Sequence, residues 1–121
     1  MFINLSNHSQ HTWSAEQLAA AELYGEVFDM PFPDVPAAAD EAWISKTADV
    51  LCREISEKQP AAVLVQGEMS LTFAVVSRLL SNGITTVCAT SERCCDTVTA
   101  ADGSVVRRSV FRFVRFRKYT L

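Results

Sequence analysis

Short apolar runs of strand length, spaced by segments of helical periodicity, constrain this 121-residue chain more than any other feature. Ala61-Ala62-Val63-Leu64-Val65 is apolar throughout. A run without alternation suits a central parallel strand covered on both faces. Phe2-Ile3-Asn4-Leu5 opens the chain in similar style and ends in a polar loop, Ser6-Asn7-His8, that continues to Thr12. Glu26–Met30 alternates loosely and stops at Pro31-Phe32-Pro33, because proline cannot donate to a ladder. Ile84–Thr90 is rich in β-branched residues and reads as a fourth strand, with Ser91-Glu92-Arg93 as its exit loop.

Helical signals fill the gaps. Ser14 and Gln17 have capping-box spacing, and Trp13 and Leu18 occupy the staple positions. The helix is expected to run from Ser14 to about Tyr24, with Gly25 as its left-handed stop. Asp40–Lys58 sets Ile44, Ala48, Leu51 and Ile55 on one stripe, and Pro60 breaks it. Met69–Ser81 is apolar on most sides and is closed by Asn82-Gly83. Ala101-Asp102-Gly103 joins two β-prone stretches, Asp96–Thr99 and Val105–Phe116, as a hairpin. The order β-α-β-α-β-α-β plus a C-terminal antiparallel hairpin implies an α/β fold: a small three-layer, Rossmann-like, mostly parallel sheet in strand order 2-1-3-4, with the hairpin on its edge. Residues 1–121 are expected to form a single domain. The last stretch has mixed faces, with Phe116 beside Arg112 on one and Phe111 and Phe113 beside Arg115 on the other. That calls for a bulge or a second subunit.

Net charge is only −3, but it is unevenly placed. Residues 1–106 carry five bases and 14 acids, a net −9. Residues 107–121 carry six bases and no acid. A basic block can serve a polyanion or pair with the protein's own acidic body. With 49% hydrophobic residues, disorder is excluded. No run approaches the ~18 apolar residues of a membrane span. Met1–Leu5 carries no basic leader, so the expected compartment is the cytoplasm. Cys52, Cys88, Cys94 and Cys95 match no zinc spacing, and reduced thiols are expected, with Cys52 and Cys88 buried. No metal or cofactor is implied.

In such a sheet, ligands bind beyond the carboxyl ends of the strands, where strand order reverses. The loops there are Ser6-Asn7-His8, Gln66-Gly67-Glu68-Met69-Ser70 and Thr90-Ser91-Glu92-Arg93. Gly67 before a helix N-terminus would admit an anion, although Glu68 opposes it and an ordinary turn reads the same way. His8 could move a proton or hold a phosphate, and Arg93 could clamp one. A solvated loop histidine and a surface charge pair are the plain alternatives.

The opening Met1–His8, the Trp13-Ser14-x-x-Gln17 helix start, the Gln66-Gly67-Glu68-Met69 turn, Ala89–Arg93 and Phe113–Arg117 resemble small proteins of type III CRISPR systems, similar to CARF-type Rossmannoid ring nucleases. The resemblance implies a homodimer that binds cyclic oligoadenylate and either cleaves or sequesters it, cleavage needing no metal because a ribose 2′-OH attacks the adjacent phosphate. His8 would transfer the proton or touch the phosphate, and Arg93 would stabilise charge. Long nucleic acid and membrane are not expected as partners. Two other functions stay open: an interaction or dimerisation module built on the basic strand, and an enzyme acting on a small nucleotide.

Overall fold

A computed structural model describes residues 1–121. The strands are β1 (Phe2–Ser6), β2 (Val27–Pro31), β3 (Ala62–Gln66), β4 (Thr86–Thr99) and β5 (Val105–Lys118). The helices are α1 (Ala15–Glu22), α2 (Glu41–Glu57) and α3 (Met69–Ser81), with a 3-10 turn at Gln10–Thr12. They form one five-stranded sheet in the order β2-β1-β3-β4-β5. β1, β2, β3 and β4 pair in parallel, and β4 pairs with β5 antiparallel. The α/β, Rossmann-like expectation and its strand order hold.

β1 and β3 are buried along nearly their whole length because both faces are covered. Ile3, Leu5, Val63 and Val65 join Leu51 and Ile55 of α2 and Leu71, Val75 and Leu79 of α3 in one core. Phe2, Leu64 and Val87 join Ala21 of α1 in a smaller core on the other face. Each fully buried large side chain contributes about 1.5–3 kcal/mol. The helix starts follow the sequence signals: Ser14 accepts from the Gln17 amide and Asp40 from the Trp43 amide. α1 ends at Glu22, two residues before the expected Tyr24, and its last turn tightens into i→i−3 bonds at Tyr24 and Gly25. β2 includes Pro31, which sits on the outer strand where its missing N–H breaks no ladder.

The main correction concerns the C-terminal third. Ser91-Glu92-Arg93 is not an exit loop. β4 runs unbroken to Thr99 and is itself the first arm of the hairpin. Its polar residues are tolerated because β5 satisfies the backbone while both faces of the outer ribbon meet water. Cys94 and Cys95 also lie in this strand, and Cys88 is only half-buried against the expectation, whereas Cys52 is buried. From Ser91 to Thr99 the ribbon extends about 26 Å at ~3.3 Å per residue.

A bulge at Val114 decides how this ribbon is used. Thr90 pairs with Arg115 and Ser91 with Phe113, leaving Val114 unpaired. The extra residue shifts the side-chain phase, so Phe111, Phe113 and Phe116 share one face. Phe116 reaches Phe2 at 5.1 Å and Trp13 at 6.2 Å between ring centroids, and Phe113 at 5.0 Å. These rings fasten the hairpin to the body. The acidic body does not neutralise the tail: the one ion pair of the last stretch, Arg108 with Asp96 at 3.8 Å, lies within the hairpin.

Phe116→Ala removes the ring that joins Phe2, Trp13 and Phe113. We expect a loss of about 2–4 kcal/mol in urea denaturation, reflecting partial burial of the ring. A loss under 1 kcal/mol would show that the hairpin is held by its ladder alone.

Candidate functional site

Polar residues on one face of β1 build the first wall. Asn4 and Ser6 alternate with Ile3 and Leu5, and both are buried. The Asn4 amide donates to Asp29 Oδ1 and to the His8 carbonyl, each at 2.8 Å. Ser6 Oγ donates to Asn4 Oδ1 at 2.7 Å and accepts from the His8 amide at 3.2 Å. Trp13 Nε1 also donates to the His8 carbonyl. Asp29, the register partner of Asn4, accepts from Ser9 Oγ and the Gln10 amide. Burial pushes the Asp29 carboxyl up, but hydrogen bonds from Asn4, Gln10 and Ser9 outweigh it and hold the group below the usual range. The His8 backbone is thereby clamped while its imidazole stays exposed.

The opposite wall exists because β4 leaves β3. Their ladder covers only Val63–Thr86 and Leu64–Val87. Beyond it, Gln66 Oε1 accepts from the Ala89 amide at 2.9 Å on one side of the gap. Tyr119 OH donates to the Val65 carbonyl at 3.0 Å on the other. The result is a cleft of about 720 Å³ at the strands' carboxyl ends. Its residues include Ser6, Asn7, His8, Gln66, Gly67 and Ser91, with Trp13, Phe111 and Phe113 as aromatic walls. No Asp, Glu, Lys or Arg lines it.

Six of the expected site residues therefore converge, and six do not. Glu68 turns back on its own helix: its carboxylate accepts from the Ser70 and Leu71 amides and from Ser70 Oγ. The Leu71 amide, then the Ser70 hydroxyl and amide, hold this carboxyl below the usual range. The α3 N-terminus is thus filled by the chain's own anion. Gly67 is open for a different reason than phosphate approach: a Cβ there would lie 2.6 Å from the Phe32 ring. Met69 is exposed on the outer side of α3 with Phe73, next to a separate pocket of about 410 Å³. Thr90 and Glu92 project from the face of β4 opposite to Ser91. Arg93 shares the face of Ser91 but stands two residues farther out, its Nε donating to Ser109 Oγ at 2.9 Å.

Thr12, Trp13, Ser14, Gln17, Phe111 and Phe113 line the cleft but were not expected there. The α1 start carried a usable signal, since a helix following the first strand begins at the sheet's carboxyl end. The phenylalanines carried none, because their face depends on the bulge. No three His, Cys, Asp or Glu side chains converge on one point.

The family model matches residues 1–117, through almost all of β5. The chain belongs to the family described as "Uncharacterized protein MJ1673 family". That match takes in every residue of the cleft. No curated protein sequence matches the chain.

Asn4→Ala leaves Asp29, Ser6 and the His8 carbonyl each short of a partner. We expect a loss of about 1–3 kcal/mol, with increased amide exchange across residues 7–12. The lowered Asp29 carboxyl stabilises the fold above its unfolded value of 3.8, and that contribution is lost as pH falls through the lower folded value. Asp29→Asn should flatten the stability profile below pH 3.8; an unchanged profile would remove Asp29 from the clamp.

Proposed function

We propose that the cleft binds a cyclic oligoadenylate and that the chain opens the ring by attack of a ribose 2′-OH on the adjacent phosphate, which forms a 2′,3′-cyclic phosphate, breaks the P–O5′ bond and releases the 5′-oxygen as a hydroxyl. One observation carries the reading: in a body with a net −9 over residues 1–106, the switch-point cleft holds no carboxylate and presents three aromatic rings among hydroxyl and amide donors. Aromatic rings take the faces of bases. Neutral donors meet phosphate oxygens without the repulsion that a carboxylate would impose. The likeness to CRISPR-associated ring nucleases supports the same ligand.

In this reading Trp13, Phe111 and Phe113 stack adenines, while Ser6, Asn7, Gln66 and Ser91 contact phosphates and riboses. His8 carries the cleft's one imidazole and transfers the 2′-OH proton. Holding the 2′-oxygen in line with the phosphorus supplies the larger share of the rate. Arg93, at the outer end of the same face, meets the part of the ring that protrudes. The cleft is open on one side, so two chains close over one ligand across a two-fold axis.

Labelled cyclic tetra-adenylate, incubated with the protein with and without EDTA, tests this. We expect binding by a species of twice the chain mass, and linear products with a 5′-hydroxyl and a 2′,3′-cyclic phosphate in both arms. His8→Ala should cut turnover about 10²–10⁴-fold while retaining binding. Trp13→Ala should weaken binding by about 1–3 kcal/mol, with Trp13→Phe restoring most of it. The absence of both binding and turnover at micromolar protein sinks the proposal.

A further inference from the structure

We infer that a row of arginines on the other face of the hairpin holds the backbone of a single-stranded nucleic acid. Arg117, Arg115, Arg112 and Arg108 stand opposite Cys88, Thr90, Glu92 and Asp96 of β4. Those β4 positions are all even, so the four arginines share one face of the ribbon. Without the bulge at Val114, Arg115 and Arg117 would fall on the opposite face from Arg108 and Arg112. All four are exposed. Only Arg108 has an acidic group within 4.0 Å, and that pair, at 3.8 Å with both side chains more than half exposed, binds weakly.

The row spans eight residue steps of β4, about 26 Å at ~3.3 Å each. Each guanidinium can take phosphate oxygens in a fork. One row of forks matches one phosphodiester backbone, whereas a duplex groove presents two. β5 is the outermost strand, so its far edge is open. Phe111, 76% exposed, stands on the opposite face of that edge. A chain following the edge meets guanidinium groups on one side and an aromatic ring for base stacking on the other, the pairing that single-strand binders use.

A second copy of the protein fits the row less well. Antiparallel pairing of two β5 edges would set arginine against arginine. The body offers no single acidic face, because α1 and α2 lie on opposite sides of the sheet. Asp29, Asp49, Glu68 and Asp102 are already engaged by hydrogen bonds of their own. The arginines are separate from the cleft, which uses the other face of the ribbon and shares only Phe111 with this edge, so the row stands whether or not the cleft binds cyclic oligoadenylate. It departs from the expectation that long nucleic acid is no partner.

The test is fluorescence anisotropy with labelled oligouridylate and oligothymidylate of about 16 nucleotides, and with matched duplexes, over a salt series. Four phosphate contacts predict that log K falls against log salt with a slope of about −3, at ~0.7 per contact. Arg112→Ala with Arg115→Ala should halve that slope. Glu92→Gln with Asp96→Asn should tighten binding by removing the two acids of this face. Both variants should keep their circular dichroism, their Tm and their response to cyclic tetra-adenylate. No binding at low salt, an unchanged slope in the double alanine variant, or tighter binding to duplex than to single strand overturns the inference. So does a change in oligomeric state on removing the two arginines.

Discussion

One inserted residue, Val114, governs how the C-terminal third of this protein is used. A strand alternates strictly, so a one-residue shift moves every later side chain to the other face. Upstream of the bulge, β5 presents Phe111 and Phe113 on the side where Phe116 has already packed against Phe2. The same shift aligns Arg108 and Arg112 with Arg115 and Arg117 on the reverse side. Two surfaces of opposite character follow from it, an aromatic wall for the cleft and a cationic row behind it.

The cleft depends on a second departure from regularity. Parallel strands β3 and β4 pair for only two residue pairs and then separate. A gap in a sheet leaves backbone groups unsatisfied, and here side chains from both faces fill that need: Gln66 to the Ala89 amide, Tyr119 to the Val65 carbonyl. Facing this gap, the Asn4–Asp29–Ser6 network holds the His8 loop. Asn4 is buried and has every polar atom bonded, so its contribution comes from position, with three neighbours losing partners if it is removed. The site is therefore supported on rigid strands at both walls.

Charge placement separates two kinds of surface that a net value of −3 conceals. The body is acidic, the cleft is free of charged side chains, and the cations gather on a ribbon that projects away from the body. A ligand rich in phosphate meets least repulsion in the cleft and along the ribbon. Two carboxylates beside the cleft are spent on hydrogen bonds within the protein, Asp29 with the Asn4, Ser9 and Gln10 donors and Glu68 with the first turn of its own helix.

The order of strands and helices, the capped starts at Ser14 and Asp40, the turn at Asp102-Gly103 and the placement of a polar rim at the switch point were all legible in the residues. Each is a local property: propensity, capping chemistry and periodicity act within a few residues of chain. His8, Ser6, Asn7, Gln66 and Gly67 were legible as residues of that rim for the same reason, since the carboxyl end of a strand is known once the strand is; Ser91 lines the cleft from within β4 instead. The extension of β4 through Ser91–Arg93 was not, because polar residues become a strand only when β5 supplies the ladder. Nor was the true constraint on Gly67, which is set by the Phe32 ring arriving from elsewhere in the chain. The sequence by itself determined which elements form and in what order they stack. Only the tertiary structure decided which face each C-terminal side chain occupies, because register between β4 and β5 is a long-range agreement between two strands, and one unpaired residue reverses it.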